Sequence, residues 1–199
     1  MRCFTFLGTG TSLGVPIIGC TCSVCISTDA RDKRLRTSGI ITLDDKNFVI
    51  DAGPDFRQQL LRENITDVEA ILITHEHSDH TAGLDDVRPL NFIKKSALPL
   101  YATQKVETDI RKRFAYAFEE NPYPGAPQIS FVNISKESNF DLNGTTVTPI
   151  EVSHGRDMKV LGFRFYDFTY ITDCKTIAPE ELEKVRGTRF LVLNALHYN

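Results

Sequence analysis

The residues best suited to chemistry stand in one short run, Thr74-His75-Glu76-His77-Ser78-Asp79-His80, which puts three of the chain's five histidines and a carboxylate within six residues. Imidazole and carboxylate are the donors that hold divalent transition-metal ions. His75 and His77 lie two apart, so in an extended backbone both rings leave on one face and reach a single ion. Asp79 and His80 follow once the chain has begun to turn, and address a second position. The run therefore reads as a loop for two cations, against the plainer alternative of a solvated polar loop. A second group stands in Gly19-Cys20-Thr21-Cys22-Ser23-Val24-Cys25. The three sulfurs of Cys20, Cys22 and Cys25 can converge on one zinc, whose structural sites take four ligands. The fourth is left to Cys3, Cys174, a histidine or a group outside the chain. The alternative is three reduced thiols packed as small hydrophobes.

Ligands need rigid elements to hold them. Val68-Glu69-Ala70-Ile71-Leu72-Ile73 runs straight into the histidines and reads as a buried strand, too short for most helices. Upstream, 39–43 and 47–51 are strand-like runs joined across Asp44-Asp45-Lys46 as a hairpin. Asp51 ends the second run, before Ala52-Gly53-Pro54. Its carboxylate is placed either to accept a hydrogen bond from a ligand histidine and fix its tautomer, or to act as an ordinary turn or cap aspartate. Segment 55–64 carries Phe56, Leu60 and Leu61 at helical spacing, with Asn64 suited to end the helix. The glycine-rich 8–16 reads as a tight turn lining a site entrance. It lacks the Gly-Lys-Ser/Thr ending of a P-loop and the dinucleotide-binding spacing.

Beyond the histidines, 81–88 reads as a short helix halted before Pro89, 98–102 as a strand and 104–119 as an amphipathic helix with Ile110, Phe114 and Phe118. The aromatic, proline-stiffened 121–127 is a loop and a candidate rim for a substrate cleft. Segment 145–152 is a strand continuing into Ser153-His154-Gly155. Runs 160–165 and 169–172 form a hairpin ending at Asp173-Cys174. Helix 179–186 opens on a proline and acids, and 190–193 is a final buried strand.

A chain of 199 residues with 41% hydrophobic content buries about 70% of its unfolded surface, so one domain over 1–199 is expected. Its 23 basic and 26 acidic residues, net −3, are mixed along the chain. That is not the footprint of a nucleic-acid-coating protein. A phosphate-bearing substrate stays compatible, because bound cations outweigh local side-chain charge. No run reaches the roughly 18 apolar residues of a spanning helix, and the start lacks a signal-peptide pattern. The odd, crowded cysteines argue against a secreted disulfide framework. A soluble cytoplasmic protein is expected.

Taken together, Thr74-His75-Glu76-His77-Ser78-Asp79-His80, Val49-Ile50-Asp51-Ala52-Gly53, Ser153-His154-Gly155 and Ile171-Thr172-Asp173 resemble the metallo-β-lactamase superfamily. Phe6-Leu7-Gly8-Thr9-Gly10 with the Cys-x-Cys-x-x-Cys cluster is similar, within it, to the phosphoribosyl cyclic phosphodiesterases of the carbon-phosphorus lyase pathway. Ribonuclease Z is a more distant resemblance; it shares the early glycine turn, but this chain has no long Gly/Pro-rich arm to grip tRNA. The resemblance implies an α/β fold, a four-layer αβ/βα sandwich of two mixed sheets. It implies that His75, His77 and His154 hold one ion, that Asp79 and His80 hold another, and that Asp173 bridges them. It also implies a further late histidine ligand. Only His197 remains, so a missing C-terminal segment is expected, with His197 as a makeshift ligand the alternative.

The expected activity is hydrolysis of a small phosphodiester, cyclic esters included, by a metal-bound hydroxide that Asp79 orients. The expected cofactors are two divalent cations, zinc first with manganese or iron also suited, and one structural zinc on Cys20, Cys22 and Cys25. Other readings are a ribonuclease Z-like tRNA-processing nuclease and an inactive metal-binding module with an incomplete second site. The expected partner is the small substrate, with a homodimer left open, nucleic acid a lesser expectation and no membrane.

Overall fold

Apolar, β-branched runs in the first two thirds of the chain form β1 (Arg2–Gly8), β2 (Ser38–Leu43), β3 (Lys46–Ile50), β4 (Ala70–Leu72), β5 (Leu98–Ala102) and β6 (Ile129–Asn133). They make one six-stranded sheet in sequential order. Strands β1, β2 and β3 pair antiparallel, whereas β3, β4 and β5 run parallel. The β2–β3 hairpin turns on Asp44 and Asp45, both at positive φ, which a tight turn between twisted strands requires. Parallel strands need crossovers. After the short α1 (Ser23–Ile26), which carries Cys25, these are α2 (Phe56–Arg62) between β3 and β4, and α3 (Ser78–Thr81) with α4 (Arg88–Lys94) between β4 and β5. Val49, Ile50, Ile71, Leu72, Ile73 and Leu100 are fully buried, as in strands covered on both faces.

The last third forms β7 (Phe140–Leu142), β8 (Thr145–His154), β9 (Met158–Phe165), β10 (Phe168–Ile171), β11 (Thr176–Ile177) and β12 (Phe190–Leu193). The second sheet runs β11-β8-β9-β10-β12, with β7 paired to β8. Its β8, β9 and β10 are antiparallel and β12 is parallel to β10, the crossover being α6 (Pro179–Val185). Val185 of α6 packs on a core of Ile150, Val152, Val160 and Ile171. The computed structural model describes residues 2–194. The sheets fall into two units, Met1–Tyr101 with Lys105–Val132, and Ala102–Gln104 with Asn133–Asn199. Two mixed sheets with flanking helices are the α/β architecture that the resemblance implied. No helix among the described residues is long and apolar enough to cross a membrane.

Four expectations needed correction. β12, expected to be a buried strand, ends its sheet with β10 as its neighbour among the described residues, and it leaves Phe190, Leu191 and Leu193 about half exposed. The halt before Pro89 does not occur: Ala82–Val87 is a 3-10 segment and α4 follows, with Pro89 in its first turn, where a proline has no helical hydrogen bond to lose. The helix from Gln104 is shorter than expected. It is α5 (Gln104–Arg113), followed after Phe114 by a 3-10 turn, Ala115–Ala117. β6 and β7, short and half-exposed, alternate apolar and polar residues over only three to five positions and were missed.

The core assignment is tested by truncation. Ile71→Ala, at a fully buried position of β4, is expected to lower unfolding free energy by about 2–5 kcal/mol. Leu61→Ala, 60% exposed on α2, should stay within about 0.5 kcal/mol. Urea denaturation followed by circular dichroism checks both, and equal effects would contradict the placement of β4 at the centre of its sheet.

Candidate metal centre

The parallel strands β3 and β4 end level with one another, Ile50 opposite Leu72, so Asp51 and the Thr74–His75 pair emerge at the same sheet edge. Loops at the carboxyl ends of parallel strands are where sites collect in α/β folds. Asp51 is fully buried and sits at φ 63°, a strained conformation for a residue with a side chain. Its Oδ1 accepts the Thr74 N–H at 2.8 Å. Its Oδ2 accepts the Thr74 hydroxyl at 2.9 Å and faces His80 Nδ1 at 2.7 Å. The carboxylate thus ties the end of one strand to both ends of the histidine loop. Of the two readings of Asp51, the tautomer-holding one matches its contacts.

These contacts set two tautomers. A carboxylate only accepts, so His80 Nδ1 carries the proton and its Nε2 is bare. Thr74 has one hydroxyl proton, already given to Asp51. Toward His75 Nδ1, 3.0 Å away, it can therefore only accept. His75 is then protonated on Nδ1 and bare on Nε2. Fixing the far nitrogen of a ring in this way is how proteins prepare a histidine to ligate.

The bare nitrogens lie among matched donors. His75 Nε2 is 3.1 Å from His77 Nδ1, and His80 Nε2 is 3.3 Å from Asp79 Oδ2. Zinc bonds of about 2.0–2.1 Å at a tetrahedral angle hold two ligand atoms about 3.4 Å apart. Both pairs fit a divalent cation by separation and by donor chemistry. The extended-backbone expectation for His75 and His77 agrees with this, and Asp79 and His80 lie in the turn that follows, on α3.

Two glycines let the surrounding backbone close up. A Cβ on Gly53 would meet the Asp79 carbonyl oxygen at 2.0 Å, and one on Gly83 would meet the Gly53 carbonyl oxygen at 2.1 Å. With hydrogen bonds from Ala52 N–H to the His80 carbonyl at 2.8 Å and Gly83 N–H to the Ala52 carbonyl at 2.9 Å, segments 51–53 and 79–83 are in direct backbone contact. Neither glycine, nor Thr74, was singled out from the sequence. The only available signal was their position beside carboxylate and histidine.

The second unit has its own pair. β8 and β10 both run antiparallel to β9, so their carboxyl ends share one edge. After β10 the chain crosses that edge to reach β11, which pairs with β8 on its far side. Asp173 lies on the crossing, at φ 52°, and its Oδ2 is 3.8 Å from Nε2 of His154, the last residue of β8. The crossing is pinned by Lys175 N–H to the Ser153 carbonyl at 2.8 Å and by Cys174 N–H to Asn194 Oδ1 at 2.8 Å. Cys174 is half-buried, and burial pushes its thiol up. His197 lies outside the described residues.

Cys20, Cys22 and Cys25 bring their sulfurs within 4.8 Å of one another. The Cys25 backbone N–H, followed by the neighbouring thiols, lowers Cys22 to about 7. The Ile17 N–H, 3.4 Å from the Cys25 sulfur, acts to lower that thiol, but burial and the other two sulfurs push it up. Such a cluster, part of it ready to ionise near neutral pH, suits zinc. The early glycine turn is a close-packed one, a Cβ on Gly8 meeting the Arg36 carbonyl oxygen at 1.9 Å. Residues 122–127 of the proline-stiffened loop line a cavity of about 480 Å³ with Asn91 and Phe92.

The chain matches the family model of the beta-lactamase superfamily domain over residues 46–199. A protein named octanoyltransferase from Porphyromonas gingivalis is 44% identical over all 199 residues of this chain, which span 40% of that protein's length. Among solved structures, a diphosphatase from the PhnP family is 40% identical with a TM-score of 0.87, over 96% of this chain and 73% of that one. Zn²⁺-bound PqqB from Methylobacterium extorquens, at 20% identity and a TM-score of 0.76 over 98% of this chain and 72% of that one, shares the fold. On its sequence match and its architecture, the chain belongs to the metallo-β-lactamase superfamily and resembles the PhnP family within it.

Proposed function

We propose that the protein is a dinuclear metal-dependent hydrolase that cleaves a small phosphodiester, cyclic esters included. In this reading His75, His77 and His154 hold one cation, Asp79 and His80 hold the second, and Asp173 is shared. The observation that carries it is the pair of tautomers set by Asp51, which leaves a bare ring nitrogen on His75 and on His80, each 3.1–3.3 Å from a second donor. A merely solvated loop has no reason to bury a carboxylate for that purpose. Superfamily membership and the PhnP-family diphosphatase likeness support the phosphoryl substrate class. The octanoyltransferase name belongs to a protein of which this chain spans 40%, and it gives no reason to assign acyl transfer here.

When bound, divalent cations supply Lewis acidity toward a phosphoryl oxygen and lower the pKa of bound water towards about 7. The side chains do the rest. Asp79 orients the attacking water and takes its proton. Thr74 and Asp51 hold the ligand rings against rotation, so little reorganisation is needed as charge develops. Water oxygen bonds to phosphorus as the bond to the leaving alkoxide breaks, and the proton taken by Asp79 passes to that alkoxide, which departs as the alcohol. Cys20, Cys22 and Cys25 hold a separate structural zinc. Imidazole with carboxylate suits zinc and also accommodates manganese or iron.

Three measurements test this reading. His77→Ala and Asp173→Ala should each lower kcat/KM on bis(p-nitrophenyl) phosphate by about 100-fold or more with Zn²⁺ or Mn²⁺ supplied; undiminished turnover removes those residues from the mechanism. Elemental analysis of the wild type should find two active-site metals and one further zinc per chain. Cys22→Ser should lose that zinc alone and retain hydrolysis, and a single ion in the wild type contradicts the dinuclear assignment. Asp51→Asn, which puts an amide donor beside His80, is expected to weaken active-site metal binding by about 10–100-fold, as read by competition with a chromophoric chelator. Unchanged affinity would deny the carboxylate its role.

A further inference from the structure

Helix α5 carries Lys105, Asp109 and Arg113 at a spacing of four, on one stripe of its surface, with the two basic residues about 12 Å apart along the axis. Both ends of the stripe reach one residue of the histidine loop. Lys105 Nζ is 2.5 Å from Glu76 Oε1. The Arg113 Nη2 donates to the Glu76 carbonyl at 2.9 Å and to Thr81 Oγ1 at 2.8 Å, while Asp109 holds its Nε at 2.6 Å. The Thr81 hydroxyl in turn donates to the His77 carbonyl at 2.8 Å. Thr81 has one proton, so toward Arg113 it acts only as an acceptor. The peptide joining Glu76 to His77 is thus held through its carbonyl, and the next carbonyl through Thr81.

Burial of α5 does not account for these contacts. Val106 and Ile110 are its buried residues, and the Arg113 side chain is 28% exposed.

We propose that Arg113 is a positioning residue for the metal loop, its guanidinium fixing the peptide between His75 and His77 so that their ring nitrogens keep their 3.1 Å separation. The proposal rests on the metal reading above, in which Arg113 touches neither cation nor substrate. Lysine is no substitute, because one ammonium cannot reproduce a planar fork shared among a carbonyl, a hydroxyl and Asp109.

Titration of the whole chain with Mn²⁺, the free ion followed by electron paramagnetic resonance, reads imidazole and carboxylate donors rather than thiolates, which favour softer ions. Arg113→Ala is expected to weaken Mn²⁺ binding about 10–100-fold, and Arg113→Lys to recover only part of that loss. Thr81→Val, close to isosteric, keeps the test usable if the arginine variant does not fold. It should weaken binding by a similar factor. The double variant should lose less than the sum of the two single losses, because the Arg113–Thr81 contact is common to both. A folded Arg113→Ala or Thr81→Val protein with wild-type affinity, or fully additive losses, would overturn the proposal. A wild type that binds no Mn²⁺ contradicts the metal reading itself, and the positioning role with it.

Discussion

A single buried carboxylate, that of Asp51, holds three donors out of contact with water, and the local structure of the first unit is arranged around that fact. Burying a carboxylate without partners costs several kcal/mol. The Thr74 N–H, the Thr74 hydroxyl and His80 Nδ1 offset that cost at 2.7–2.9 Å. The same three bonds lock the end of β3 to the loop after β4, and they decide which nitrogen of two histidines is left bare. Stability and ligand preparation therefore rest on one set of contacts. This explains the strained φ of Asp51 and the two glycines that admit the 79–83 backbone: the loop is held close because the carboxylate has to reach it.

The second unit reaches a comparable result by topology. Placing β8 and β10 with their carboxyl ends at one edge, and sending the chain across that edge to β11, brings a carboxylate from one segment beside an imidazole from another. Asp173, like Asp51, takes a left-handed backbone just past a strand. In each unit the donor side chains come from turns at strand ends while the strands supply rigidity. Such placement lets a fold vary its chemistry without disturbing its core.

The parts legible in the sequence are those where spacing maps onto geometry. His75 and His77 two apart, Asp51 at the end of an apolar run, and Cys20, Cys22 and Cys25 in a tight cluster are each brought together as their spacing suggested. Strands β2 to β5 could be read because their burial leaves near-continuous apolar runs. What could not be read depends on partners distant in sequence. Thr74 is an ordinary threonine until its hydroxyl is seen between Asp51 and His75. Arg113 is a surface cation on an amphipathic helix until α5 is laid against Glu76. Pro89 misled because the rule that proline ends helices competes with the rule that it begins them, and the local sequence does not say which applies. His154 and Asp173 were assigned by family likeness, since a lone histidine and a lone aspartate carry no spacing of their own.

The claim on which the function depends is that the histidine loop and the His154–Asp173 pair serve the same two cations. The most direct measurement is anomalous diffraction at the zinc absorption edge from crystals grown with Zn²⁺. The account predicts two neighbouring peaks about 3.5–4 Å apart, one bounded by His75, His77 and His154, the other by Asp79 and His80, with Asp173 between them. Peaks confined to the cysteine cluster, or a metal on the histidine loop with His154 and Asp173 remote from it, would contradict it.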